Sequence, residues 1–141
     1  MRKFVFTLLL SLSFITVQAQ DIFNAARSNN IAELRTLISN KVNVNIPNEK
    51  GFTPLILAIY NNNLEAAKLL IENGADTNAQ DRSGNNALMG AIFKGYNDMA
   101  KLLIENSADV NQTNYNGATS LVFAATFGNV EVVKLLLDAG A

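Results

Sequence analysis

Glu72 with Asp76, and Glu105 with Asp109, are the side chains that come nearest to catalytic chemistry, since paired carboxylates can act as general acid and general base. Both pairs recur at the same step along the chain, however, and a reactive centre needed once is not copied with a structural period. They are read as scaffold. The chain has no histidine and no cysteine, which removes the usual general base, the thiolate nucleophile and the commonest zinc ligands together. No glycine-rich phosphate loop is present either. Asn111-Gln112-Thr113 fits a glycosylation acceptor, but its asparagine also belongs to the period. What remains is binding chemistry, carried by aromatic side chains standing near lysine and arginine.

The period is 33 residues. Gly51, Gly84 and Gly117 keep it, as do Asn45, Asn78 and Asn111, Leu55, Leu88 and Leu121, and Ala58, Ala91 and Ala124. A unit this short cannot enclose a core alone, so its apolar faces must be buried against neighbouring copies. Each unit opens on an Asn or Asp followed three residues later by Gly, as in Asn48 to Gly51, Asp81 to Gly84 and Asn114 to Gly117. A side-chain oxygen folds onto the backbone there and glycine supplies a positive φ. Thr53 then caps a short helix with Pro54 at its first position. That helix is expected from about Pro54 to Asn61, ending in the left-handed conformation at Asn62, with Gly95, Gly128 and Asn29 at the matching points. A second helix follows at once, with apolar residues at helical spacing and an acidic residue in its first turn (Glu65, Asp98, Glu131). Gly74 and Gly140 terminate two of the second helices, while Lys41 and Ser107 stand at the equivalent points. Asn45, Asn78 and Asn111 are expected to hydrogen-bond the neighbouring turn.

Gly51-x-Thr53-Pro54-Leu55 with Ala58, then Leu69-Leu70, then Gly74-Ala75-Asp76-Thr77-Asn78, resembles the ankyrin repeat, and the likeness extends over Ile22 to Ala141. The resemblance implies an all-α ankyrin-repeat solenoid of stacked helix-turn-helix units linked by β-turn loops. Some positions depart from the family pattern. Ile56, Met89 and Val122 replace its histidine, Asn86-Ala87 and Thr119-Ser120 replace the Thr-Pro pair, and Ser107 and Lys41 replace glycine. These changes bear on stability and local geometry more than on fold. The family binds through turn tips and the exposed side of the first helix, which places partner-binding residues at Glu49, Lys50, Phe52 and Tyr60, at Arg82, Asn85, Phe93 and Lys94, and at Tyr115 and Phe127. Aromatic side chains beside Lys and Arg are what protein hot spots use. A second reading has Phe52, Tyr60 and Phe93 packing between adjacent units.

Residues 1–19 have a different character. Arg2 and Lys3 precede an apolar run from Phe4 to Val17, and Val17-Gln18-Ala19 suits a signal-peptide cleavage site. The run is shorter than the ~20 residues a membrane-spanning helix needs, so no membrane insertion is expected once the leader is cleaved. The expected organisation is a signal peptide over 1–19 and a repeat domain over 20–141, with an N-terminal cap over 22–47 and repeats over 48–80, 81–113 and 114–141. The last repeat is truncated, and an array with further units is expected. Formal charge is −1, which provides no basic stripe for nucleic acid. The sequence thus points to an exported, periplasmic or secreted protein that is not an enzyme, holds no cofactor or metal, and binds another protein. An alternative function is regulation or inhibition of a neighbouring exported enzyme.

Overall fold

A computed structural model describes residues 16–141. The expected leader lies largely outside the described residues. Helix α1 covers 16–28 and so begins upstream of the expected cap boundary at Ile22, because residues 18–21 (Gln, Ala, Gln, Asp) include no Pro or Gly to stop it. Three hairpins follow the opening pair of α1 and α2 (Ile31–Ser39). They are α3 (Pro54–Tyr60) with α4 (Leu64–Glu72), α5 (Ala87–Lys94) with α6 (Asn97–Glu105), and α7 (Ser120–Thr126) with α8 (Val130–Asp138). Among the described residues there is no strand, and one isolated antiparallel bridge joins Gln80 to Asn86. No described helix is long and apolar enough to cross a membrane.

Local chemistry starts each first helix in the same way. The Thr53 hydroxyl accepts from the Ile56 N–H at 3.3 Å, Asn86 Oδ1 from Met89 N–H at 2.9 Å, and the Thr119 hydroxyl from Val122 N–H at 3.4 Å. The substitution of Thr by Asn86 therefore keeps the cap, since both side chains place an oxygen over the same orphan donor. Ser120, in the place of Pro54, is fully buried with its hydroxyl unpartnered. The first helices end as the sequence predicts, with Asn62 at φ 57°, Gly95 at 73° and Gly128 at 66°. Lys41 and Ser107 are driven into the same left-handed region, at 62° and 64°.

Stacking joins the units. Helices α3, α5 and α7 pack side by side in one row, and each packs on its own partner in a second row, where α4 meets α2 and α8 meets α6. Leu55, Ala58, Leu88, Ala91 and Ala124 are almost completely buried, as are Leu70, Leu103 and Leu136 of the second row. The core is thus continuous along the stack, with no unit holding it alone. Ile56 and Met89 are 1% and 0% exposed between neighbours, whereas Val122, at the same place in α7, is 51% exposed.

Backbone polar groups are satisfied across the units by the periodic asparagines. Asn45 donates from Nδ2 to the Gly74 carbonyl at 3.0 Å and accepts the Asp76 N–H at 2.7 Å. Asn78 accepts the Asp109 N–H at 2.7 Å, and Asn111 donates to the Gly140 carbonyl at 3.1 Å. These bonds bear out the scaffold role read from the period, Asn111 of the Asn-Gln-Thr triplet included. Asp76 and Asp109 accept the N–H groups of Asn78 and Asn111, so these carboxylates close turns. Glu105 lies 3.9 Å from Lys101, and Glu72 is exposed.

Candidate protein-binding face

The row of first helices and the turn tips before them form one continuous surface. Each tip is closed by its opening Asx residue. Asn48 Oδ1 accepts the N–H groups of Lys50 and Phe52, Asp81 Oδ1 those of Ser83 and Asn85, and Asn114 Oδ1 those of Asn116 and Ala118. Successive tips are then tied by backbone bonds, from Arg82 N–H to the Lys50 carbonyl and from Tyr115 N–H to the Ser83 carbonyl, each at 3.2 Å. This ladder holds Glu49, Lys50, Arg82 and Tyr115 exposed along one edge, with Tyr115 72% exposed.

Four of the five aromatics expected to bind sit in two pairs on this surface. The rings of Phe52 and Tyr60 stack at 5.6 Å with 30° between planes, and both are half-buried. Phe93 and Phe127 meet edge to face at 5.5 Å across adjacent units, yet remain 55% and 52% exposed. Packing and availability therefore coexist at Phe93 and Phe127. Phe123 lies 6.5 Å from Phe127 and extends the second pair. Lys94 places its ammonium 5.9 Å from the centre of the Tyr60 ring, within cation–π range. Tyr115 joins neither pair; it stands over Gly84 at the tip.

Asn85 has a second role. Its Oδ1 accepts from Asn114 Nδ2 at 2.9 Å, joining one turn to the next, while the residue also lines a cavity of about 200 Å³ with Tyr60, Met89, Gly90, Phe93 and Phe123. Met89, Gly90 and Phe123 were not among the residues expected from the sequence. The signal was present, because Leu57, Gly90 and Phe123 occupy the same place in three successive repeats. A larger groove, of about 600 Å³, runs between Gln20, Phe23 and Arg27 of α1 and the segment carrying Ile46, Lys50 and Phe52. Burial, with the Asp81 carboxylate adding to it, raises the Tyr60 hydroxyl above its usual pKa.

Two family models match the chain, one described as ankyrin repeats in three copies over residues 73–141 and one as ankyrin repeats in many copies over residues 37–91. The chain belongs to the ankyrin-repeat family. No curated protein matches it. Ankyrin repeats generally mediate protein–protein interaction, and the ankyrin stack here presents exposed aromatic surface at Phe93, Tyr115 and Phe127. Among the described residues no three acidic side chains converge to hold a metal ion.

Proposed function

We propose that this ankyrin-repeat chain is a non-catalytic module, exported from the cell, that binds another protein through its turn tips and first helices. The observation that carries the reading is the pair of exposed, mutually packed rings of Phe93 and Phe127 beside Lys94 and the Phe52–Tyr60 stack. Packed aromatics lose little entropy on binding while covering much area, which is how a few residues dominate an interface. Export is supported by the basic, apolar and small-residue pattern of residues 1–19. The absence of cysteine fits either side of a membrane, since stacked helices need no disulfide.

The test is capture of the natural partner from the exported fraction of the source cells, by the parent and by a variant carrying Tyr60→Ala, Phe93→Ala and Phe127→Ala. The variant should bind at least about 30-fold more weakly, the equivalent of ~2 kcal/mol. Undiminished capture by a variant that melts like the parent refutes the assignment of this face.

A further inference from the structure

The first-helix row carries one glycine inside a helix, Gly90. Leu57 and Phe123 flank Gly90 in register, so one unit lacks the side chain its neighbours carry there. Glycine inside a helix costs about 1 kcal/mol relative to alanine. Gly90 is helical and has no positive φ, so its backbone does not require glycine. What requires it is space. A Cβ at Gly90 would lie 3.2 Å from two carbons of the Tyr60 ring, which leans over the helix from the preceding unit. The missing side chain leaves the 200 Å³ cavity open between Tyr60 on one side and Phe93 and Phe123 on the other.

That volume is below the ~300–1,000 Å³ typical of small-molecule sites, and suits a single inserted side chain. Its walls are aromatic at Tyr60, Phe93 and Phe123 with polar surface of equal extent from groups such as those of Tyr60 and Asn85, and Met89 contributes a flexible thioether that can adapt to what enters. Two cations stand near the cavity. Lys94 stands over Tyr60, Arg82 is exposed on the adjoining tip, and neither forms an ion pair within the described residues. The nearby Asp81 carboxylate is buried and committed to two backbone N–H groups. An acidic ligand would supply the counter-charge that these two cations lack.

The geometry points to the Gly90 notch as the socket for one large apolar side chain, Leu, Met or Phe, from an acidic segment of the partner whose neighbouring carboxylates meet Lys94 and Arg82. This rests on the protein-binding reading above and specifies the partner's chemistry. The larger groove beside α1 is a poorer candidate, because Thr16 and Ala19 on its wall would leave with the leader if cleavage follows Ala19.

A displayed library of random peptides, panned in parallel on the parent protein and on Gly90→Leu, tests it. Gly90→Leu introduces the residue of the preceding repeat and fills the socket; its gain in helix propensity works against the pressure of the new side chain on the Tyr60 ring, so its thermal unfolding is measured alongside. The parent should enrich peptides with one large apolar residue beside Asp or Glu. Those peptides should bind Gly90→Leu at least about tenfold more weakly, should weaken with added salt, and should weaken at least about fivefold on Lys94→Glu. If Gly90→Leu fails to fold, Gly90→Ala serves, with a loss of about threefold expected. Recovery of the same peptides with equal affinity from parent and variant overturns the proposal, as does enrichment of basic peptides or no enrichment specific to the parent. Peptides lost on replacing Tyr60, Phe93 and Phe127 but retained by Gly90→Leu would leave the binding face standing and remove the socket alone.

Discussion

Replacing Gly84 by Ala should cost the fold more than replacing Gly117 by Ala, although both glycines close the same turn with the same backbone angle, φ 77° and 78°. The shared part is conformational. An L-residue in the left-handed region loses about 1–2 kcal/mol, partly offset by about 0.4–1 kcal/mol from the smaller entropy of the unfolded chain. Gly117→Ala should therefore cost about 1 kcal/mol, since nothing lies within 4 Å of the new methyl group. At Gly84 the methyl would lie 2.7 Å from the Tyr115 backbone nitrogen and 2.6 Å from its Cδ1. Forcing extra volume into such a contact adds about 1–3 kcal/mol, so Gly84→Ala should cost about 2–4 kcal/mol.

Urea titration followed by far-ultraviolet circular dichroism measures both losses, and comparable m-values license the subtraction. Adding Tyr115→Ala to Gly84→Ala removes the ring contact but not the backbone one, so it should recover part of the excess. Equal losses at Gly84 and Gly117, or complete recovery in the double variant, would refute the claim that consecutive turn tips are held in backbone contact. The positions of Arg82 and Tyr115 on the binding edge depend on that contact.

Ser107 occupies a left-handed helix end at φ 64°, where Gly74 and Gly140 relax to 88° and 94°. Ser107→Gly should stabilise the chain by about 1 kcal/mol and raise its melting temperature by a few degrees, checked by thermal unfolding; a lower melting temperature would contradict the reasoning. Tyr60 has its pKa raised in the folded state, so its contribution to stability is complete below the unfolded value near 10 and is lost as pH rises through the folded value. Tyr60→Phe should flatten that alkaline decline in urea midpoints measured from neutral to alkaline pH, and an unchanged decline would count against the assignment.

Sequence and structure agree most closely where a residue acts on its own backbone or on the equivalent residue one unit away. The Asx turns at Asn48, Asp81 and Asn114, the left-handed helix ends and the Asn45 ladder are of this kind, because a local preference repeated in phase leaves one geometry open. Asn86 shows the limit of reading by residue type. It departs from the family's Thr, yet its oxygen reaches the equivalent N–H, that of Met89. The two readings of the aromatics could not be separated from sequence, since burial depends on how rings from different units lean. Phe52 and Tyr60 stack and half bury each other, while Phe93 and Phe127 touch and still face solvent.

Gly90 was the informative residue that a search for shared positions passes over. A period identifies what stacking demands, so any position that breaks it is released from that demand or answers to another one. Val122 differs from Ile56 and Met89 by type but stays apolar. Gly90 differs in kind. It gives up a side chain and helix propensity together, in a row where Leu57 and Phe123 show that large residues fit. The Tyr60 ring takes up the space on one side, 3.2 Å from where a Cβ would lie. What stays open beside that ring, framed by Met89 and Phe93 and edged by Lys94, is the part of this surface that an entering side chain would use.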